Sequence, residues 1–219
     1  MTSKTIGPSS AFFSNYLNTY PPREGLLFQI ENGIITDNLG NTQTSTNTPT
    51  YNSNGWLDFN GTNQRLLYST TSGNYGITVP YSIEFEAWSN ISMSGRPYGC
   101  LFMTVGYNGG TPNTSSTANI RIGPWTIDNL VAAISSYSYS IKTPMPVNTW
   151  FKVGVMVYNN GGTRLRTYYN DAQVTDVAVT PLAPTNDPLS IGNSIGDDPY
   201  WINGRIRNMY IGRSLFWDI

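Results

Sequence analysis

Residues 148–172, with the sequence NTWFKVGVMVYNNGGTRLRTYYNDA, decide the fold class of this chain. Residues 150–158 and 163–170 are rich in β-branched and aromatic side chains, which favour strands. Asn160-Gly161-Gly162 between them is a turn signal of the kind that joins two antiparallel strands. A third strand-like segment, 172–179, follows directly. The stretch therefore predicts consecutive antiparallel strands without a sustained helical period.

The same alternation of strand and turn continues on both sides of this stretch. Asn-Gly, Gly-Gly, Asp-Pro and Pro-rich turn signals recur at short intervals, which is the spacing expected of a β-sandwich. Residues 41–54 are rich in Asn, Thr and Ser and are predicted to form a loop. At 219 residues the chain fits one large β domain. The other predicted strands are 26–31, 56–59, 65–69, 81–88, 99–105, 118–122, 130–139, 189–192 and 204–212.

Residues 1–22 are predicted to form an N-terminal arm in front of a single domain at 23–219. A short helix in this arm would end at Pro21-Pro22 and would carry aromatic side chains on one side. These side chains either pack on the rim of the domain or contact a neighbouring subunit. Residues 214–219 are also unusually apolar for a terminal segment. The predicted assembly residues are Phe12, Phe13, Tyr16, Leu17, Tyr20, Phe216 and Trp217.

The composition excludes several classes of function. Twelve Lys and Arg residues against 13 Asp and Glu residues give a formal charge of −1, and only 11% of the residues are charged. No basic surface for nucleic acid or an anionic membrane is therefore expected. Because the chain contains no His, it has no Ser-His-Asp triad and no His-based metal site. Its polarity comes from Asn, Thr and Ser, and its 15 Tyr and 6 Trp residues suit contacts with sugars or proteins.

Four segments, in order along the chain, resemble the laminin-G-like members of the concanavalin-A-like lectin and glucanase superfamily. Residues 55–66 are similar to the Phe-Asp-Gly turn of that family, and residues 81–88 to its central strand ending in Trp. Residues 148–172 resemble its Trp-led strand and glycine hairpin, with Ala where the family usually has Gly. Residues 189–192 and 201–215 resemble its closing pair of strands. The resemblance implies an all-β, antiparallel two-sheet jelly-roll sandwich, a fold that serves lectins, glycosidases, adhesion modules and virion proteins.

Glu84 and Glu86 are candidates for a catalytic carboxylate pair, because residues two apart on a strand project from the same face. Laminarinase-like members of the superfamily carry Glu-x-Asp-x-x-Glu, and here the middle Asp and the third carboxylate are missing. Two later strands carry Arg residues in the same alternation, so cross-strand Glu–Arg ladders would satisfy these charges. We therefore predict no catalytic residue and no enzyme activity. The Arg pairs are Arg164 with Arg166 and Arg205 with Arg207.

A carbohydrate site needs an exposed aromatic face beside amide or hydroxyl groups. For each aromatic residue the alternative is packing in the core or in a subunit interface, and Trp56, Trp88 and Trp150 are assigned to packing. Calcium is the one metal ion expected to bind, and the densest oxygen cluster for it is Asp197-Asp198, with Asn193 and Asn203 nearby in sequence. Asp171 and Asp176 form a looser cluster, and a plain turn is the alternative for Asp197-Asp198. No other cofactor is expected. The predicted carbohydrate-binding residues are Trp125, Tyr137, Tyr139, Tyr200 and Trp201.

The first functional hypothesis is a non-enzymatic virion protein of a bacteriophage, either a capsid decoration protein or a tail-associated jelly roll. Residues 1–8 lack the apolar run of a signal peptide, so we expect synthesis in a host cytoplasm and display on the virion, with an extracellular protein as the alternative. The expected partners are other virion proteins, further copies of the chain in a homo-oligomer such as a trimer, and cell-surface glycans. A stand-alone lectin or carbohydrate-binding module is the second hypothesis, and a glycoside hydrolase of the same superfamily is the third.

Overall fold

The computed structural model describes residues 25–40, 42–45, 47–69, 79–90, 102–105, 120–126, 129–134, 137–180, 189–193 and 201–213. Within these residues, no helix is long and apolar enough to cross a membrane. The strands of the described residues are β1 (Leu26–Glu31), β2 (Ile34–Asp37), β3 (Thr42–Gln43), β4 (Thr50–Asn52), β5 (Trp56–Asn60), β6 (Leu66–Ser69), β7 (Tyr81–Ser89), β8 (Met103–Val105), β9 (Ile120–Thr126), β10 (Asn129–Ile134), β11 (Tyr137–Lys142), β12 (Trp150–Asn159), β13 (Thr163–Tyr169), β14 (Ala172–Ala178), β15 (Leu189–Ile191) and β16 (Asn203–Gly212).

The described strands form two antiparallel sheets. One has nine strands, in the order β14-β13-β12-β7-β16-β1-β2, with β5 pairing both β16 and β4. Residues 203–206 of β16 pair with β5, and residues 209–212 pair with β1. The other sheet has seven strands, in the order β11-β10-β9-β8-β15-β6-β3. The antiparallel two-sheet jelly-roll sandwich predicted from the sequence is confirmed.

The core lies between the sheets and is filled by alternate side chains of their strands. In β7 and β12, Phe85 and Val153 are fully buried, and the ring centroid of Phe85 is 5.7 Å from that of Phe102. Each such side chain stabilises the fold by about 1.5–3 kcal/mol. Because side chains of a strand alternate between faces, the intervening residues of β7 and β12 project from the opposite face of the nine-stranded sheet. We call this opposite face the outer face.

Three sequence predictions are corrected by the strand pattern. The predicted loop 41–54 contains two short strands, β3 and β4. They form because their backbone N–H and C=O groups make hydrogen bonds with the neighbouring strands β6 and β5. The predicted strand 130–139 is two strands, β10 and β11, which pair with each other. β2 is not among the strands predicted from the sequence, although Asn32-Gly33 before it is a turn signal and both residues have a positive φ. The predicted arm, 1–22, lies outside the described residues.

Gly204 is expected to tolerate no side chain. A Cβ added there would lie 2.2 Å from the backbone oxygen of Trp88 on the neighbouring strand β7. We predict that Gly204→Ala lowers the free energy of unfolding by about 3 kcal/mol, measured by urea denaturation. Gly161→Ala is the control, because a Cβ at Gly161 meets no atom of the described residues within 4 Å and the substitution carries the cost of a positive φ, about 1 kcal/mol. Equal losses in the two variants would show that the close approach of β16 and β7 has been overestimated.

Candidate functional site

One row of side chains crosses four strands on the outer face of the nine-stranded sheet. Trp150 of β12 lies opposite Trp88 of β7, Trp88 lies opposite Arg205 of β16, and Arg205 lies opposite Asp58 of β5. All four residues are partly exposed. Trp56, two residues before Asp58 on β5, projects from the same face and is also partly exposed. The register of the sheet therefore brings aromatic and charged groups together from segments far apart in sequence.

The arginines of β16 stack on the tryptophan rings. The guanidinium carbon of Arg205 lies 4.4 Å from the ring centroid of Trp88 and 5.2 Å from that of Trp56. The guanidinium carbon of Arg207 lies 4.1 Å from the ring centroid of Trp150, whose centroid is 5.9 Å from that of Trp56. These distances are within the range of cation–π attraction. We call these five residues the tryptophan–arginine cluster.

Asp58 fixes the orientation of two members of this cluster, Arg205 and Trp56. Its Oδ1 accepts a hydrogen bond of 2.9 Å from Nε of Arg205, and the two side chains are both 36% exposed. Its Oδ2 accepts hydrogen bonds of 3.0 Å from Nε1 of Trp56 and 3.2 Å from Nδ2 of Asn52. Both carboxylate oxygens are engaged, so the carboxylate holds Arg205 and Trp56 in a fixed relation.

The two candidate catalytic carboxylates are buried on the same face and are each paired with a cation. Glu86 lies 2.7 Å from Nη2 of Arg207 and accepts a hydrogen bond of 2.6 Å from Asn208. Glu84 lies 3.2 Å from Nζ of Lys152. Lys152 also contacts Asp171, in the turn between β13 and β14, at 2.7 Å. Each glutamate therefore has a positively charged partner on the outer face.

The predicted Glu–Arg ladder is confirmed for Glu86 and Arg207 and is wrong for the other residues. Glu84 pairs with Lys152 because β12, which carries Lys152, is the direct neighbour of β7. The arginines of β13 are one strand further away and pair instead with a carboxylate of β14, while the remaining arginine of β16 pairs with β5. These last pairs are Arg164 and Arg166 with Asp176, and Arg205 with Asp58.

Asp176 is the centre of a second polar cluster on the outer face. It accepts hydrogen bonds from Tyr158 at 2.8 Å, from Nε of Arg164 at 2.7 Å and from Arg166 at 2.8 Å. Burial by itself would raise the pKa of Asp176, but hydrogen bonds from Arg166, Tyr158 and Arg164 outweigh it and hold this pKa below its ordinary value. The carboxylate therefore stabilises the fold above its ordinary pKa, and this contribution is lost as the pH falls through the lowered pKa.

Asp176→Asn is expected to lower the free energy of unfolding by about 2 kcal/mol at pH 7, because the cations lose their charged partner. The difference from the unchanged protein should narrow as the pH falls below about 4, the ordinary pKa of Asp in the unfolded chain, toward the lowered pKa of Asp176 in the folded protein. Urea denaturation at several pH values measures both effects. Glu31→Gln is the control, because Glu31 makes no side-chain hydrogen bond or ion pair that involves the described residues. A constant difference between the two proteins down to pH 2, on the order of the value at pH 7, would contradict this account.

Of the five sugar-binding residues predicted from the sequence, the structure describes the side chains of two, Tyr139 and Trp201. Tyr139 is partly buried and packs against the core. Trp201 is partly exposed, and the guanidinium carbon of Arg65 lies 5.7 Å from its ring centroid. The remaining predictions for sugar, metal and assembly fall on residues or side chains outside the described part of the chain. These are the side chains of Trp125 and Tyr137, together with Tyr200, Asp197, Asp198, Phe12, Phe13, Tyr16, Leu17, Tyr20, Phe216 and Trp217.

Three tryptophans of the outer face are not among the binding residues predicted from the sequence. Trp56, Trp88 and Trp150 were assigned to packing, yet the structure leaves all three partly exposed beside charged groups. The spacing indicates this exposure, because Trp88 follows Glu84 and Glu86 at intervals of two residues and so projects from the same face of the strand. Among the described residues, no group of three or more acidic or Cys side chains could hold a metal ion.

The fold and the outer face define a class, an all-β sandwich that presents an aromatic surface. No known family model matches the chain, and no curated protein matches its sequence. Among solved structures, it is similar to the binding domain of botulinum neurotoxin serotype D, with a TM-score of 0.61 and 10% identity over 88% of this chain and 48% of that one. It is also similar to the receptor-binding domain of botulinum neurotoxin type G, with a TM-score of 0.55 and 13% identity over 89% of this chain and 49% of that one.

A third similar structure is from botulinum neurotoxin type C, whose cell entry depends on interaction with two ganglioside molecules. Its TM-score is 0.58 and its identity 17%, over 88% of this chain and 49% of that one. The chain thus spans about half the length of these neurotoxin structures. At such low identity the likeness shows a shared β-sandwich fold, and it says nothing of a virion origin.

Proposed function

We propose that this protein is a non-enzymatic carbohydrate-binding β-sandwich and that the tryptophan–arginine cluster is its binding surface. The observation that carries the proposal is the row of partly exposed Trp150, Trp88, Arg205 and Asp58 across the outer face. Indole faces contact the apolar C–H faces of a sugar, and guanidinium and amide groups donate hydrogen bonds to its hydroxyls. The fold shared with receptor-binding domains, one of them from a toxin that depends on gangliosides, supports the same class of ligand.

The absence of catalysis is part of the proposal. Glycosidases need one carboxylic acid with a raised pKa and a second, free carboxylate beside the scissile bond. Here Glu86 is held by Arg207 and Asn208, and Glu84 by Lys152, so both carboxylates are engaged by partners in the sheet face. Glu84 is only 4% exposed and Glu86 only 3%, so neither carboxylate can reach a glycosidic bond at the surface. Glycan binding without release of reducing sugar is therefore the expected behaviour.

The proposal is tested by screening the purified protein on a broad glycan array, with and without about 1 mM calcium. Specific binding of at least one glycan structure supports a lectin-like function. Equal binding in the presence and absence of calcium is expected, because the proposed surface uses aromatic and guanidinium groups rather than a metal ion. No binding to any glycan, with the protein shown to be folded, would overturn the proposal.

The setting proposed for this surface is a bacteriophage virion, as a decoration or tail-associated protein that contacts cell-surface glycans. The low share of charged residues, 11%, and the polarity supplied by Asn, Thr and Ser support it. The aromatic residues at 12–20 are the proposed contacts with further copies or with other virion proteins. Deleting residues 1–22 should abolish a homo-oligomer seen by light scattering and leave glycan binding intact. A monomeric intact protein that also fails to bind virion particles would contradict this setting.

A further inference from the structure

We propose that Arg205 determines the specificity of the tryptophan–arginine cluster, and that it selects an uncharged sugar over an acidic one. This inference rests on the carbohydrate-binding function proposed above. It names the chemistry of the ligand, which is a neutral sugar that offers hydroxyl oxygens to the terminal amino groups of Arg205.

The terminal amino groups of Arg205 are available to a ligand. The side chain makes one hydrogen bond with the described residues, from Nε to Oδ1 of Asp58 at 2.9 Å. Its Nη1 and Nη2 have no hydrogen-bond partner within the described part of the chain. A guanidinium has five N–H donors, so four remain. The side chain is 36% exposed, and these donors can therefore be reached from solvent.

Arg207, the neighbouring arginine of the cluster, is in a different state. Its Nε donates to Oε2 of Glu86 at 2.9 Å, and its Nη2 lies 2.7 Å from the same oxygen. Its side chain is only 18% exposed, and that of Glu86 only 5%. Arg207 therefore stabilises the sheet through Glu86 and Trp150, whereas Arg205 is the arginine that a ligand would contact.

The guanidinium of Arg205 is fixed before any ligand arrives. It lies close to two indole rings, and its Nε is held by a carboxylate that also binds Trp56 and Asn52. Little side-chain freedom remains to be lost on binding, and this favours affinity. The same contacts place these donors beside Trp56 and Trp88, so a sugar ring that contacts either indole would also come within reach of the guanidinium.

The charge balance of the cluster favours a neutral ligand. Arg205 is paired with Asp58, and Arg207 with Glu86, so two cations face two carboxylates. A carboxylate on the sugar would gain attraction from Arg205 but would approach Asp58, which is bonded to the same guanidinium. Like charges at close range raise the free energy of the complex. Sugar hydroxyls accept hydrogen bonds from the terminal amino groups without this repulsion.

The experiment compares neutral hexose oligosaccharides with their uronic-acid counterparts, in which a carboxylate replaces the hydroxymethyl group, as soluble ligands in titration. We expect the protein to bind the best neutral oligosaccharide at least about tenfold more tightly than its acidic counterpart. The affinity for the neutral ligand should change less than about twofold between 0.05 and 0.5 M NaCl. Tighter binding of the acidic ligand, or a salt effect above about tenfold, would overturn the inference.

Two variants locate the effect at Arg205. Arg205→Lys keeps the positive charge but replaces the two terminal amino groups of the guanidinium by one ammonium group. It should weaken binding of the neutral oligosaccharide about tenfold or more. Asp58→Asn removes the neighbouring negative charge and should shift the preference toward the acidic ligand. Urea denaturation checks that both variants fold. If Trp88→Ala abolishes binding while Arg205→Lys does not weaken it, the inference about Arg205 falls and the proposed function stands. If neither ligand class binds the unchanged protein, both fall.

Discussion

Replacing Trp88 by Ala is expected to weaken glycan binding at least about a hundredfold, because truncating a central aromatic contact removes about 3 kcal/mol of binding energy. Trp88 lies at the middle of the row, with Trp150 on one side and Arg205 on the other. The substitution removes a stacking face for the sugar and also one of the two rings beside the guanidinium of Arg205. Titration of an array-identified glycan into both proteins measures the difference.

Trp201→Ala is the matched control for this prediction. Trp201 is also partly exposed and also lies near an arginine, Arg65, but it is not part of the tryptophan–arginine cluster. Its replacement should change affinity by less than about threefold, since most contacts outside a central cluster contribute little. Because Trp88 lies on the outer face, its loss should leave the core intact, which the urea unfolding midpoint verifies. Loss of binding in Trp201→Ala, with binding retained in Trp88→Ala, would move the site away from the outer face.

Arg207→Met is expected to lower the free energy of unfolding by about 3 kcal/mol, because it leaves Glu86 as a buried charge without its cation. Glu86 would keep the hydrogen bond from Asn208, at 2.6 Å, which limits the loss. The variant also removes the guanidinium from the face of Trp150, which contributes about 1 kcal/mol of this effect. Urea denaturation at pH 7 gives the value.

A double-mutant cycle separates the ion pair from these other contacts. Adding Glu86→Gln to Arg207→Met removes the unpaired charge, so the double variant should be more stable than Arg207→Met alone by about 1 kcal/mol. Arg213→Met is the control, because Arg213 is exposed and makes no side-chain hydrogen bond or ion pair within the described residues. It should shift stability by less than about 0.5 kcal/mol. Strictly additive losses from the two single substitutions would contradict the account of Glu86 as a charge held by Arg207.

The sandwich could be predicted from local patterns, because strand propensity and turn residues act over a few neighbouring positions. β7 and β12 were placed within one residue of their observed ends, since their alternation is strong and their turns carry Gly or Asn. The sequence predicts one strand at 130–139, because these residues include no Gly, Pro, Asn or Asp that would mark a turn between β10 and β11. Short strands such as β3 exist only through their partners, and no local signal marks them.

The site could be predicted only in part, because its contacts depend on strand order. Arg205 and Asp58 are 147 positions apart and meet only because β5 pairs with β16. Nothing in the local sequence states that pairing. The spacing of Glu84, Glu86 and Trp88 predicts that they share one face of a strand. Trp88 was nevertheless predicted to pack in the core, because its segment resembles a strand of the superfamily fold. The register of the sheet decides which tryptophans stand beside which arginines.

The most direct test of the account is where a bound sugar contacts the protein. The chain has 6 Trp residues, and each indole N–H gives a separate signal in a two-dimensional NMR spectrum. Titration with a glycan that the array identifies should shift the indole signals of Trp56, Trp88 and Trp150 and leave those of Trp125, Trp201 and Trp217 in place. Shifts confined to Trp125 or Trp201, with the three signals of the outer face unchanged, would contradict the account.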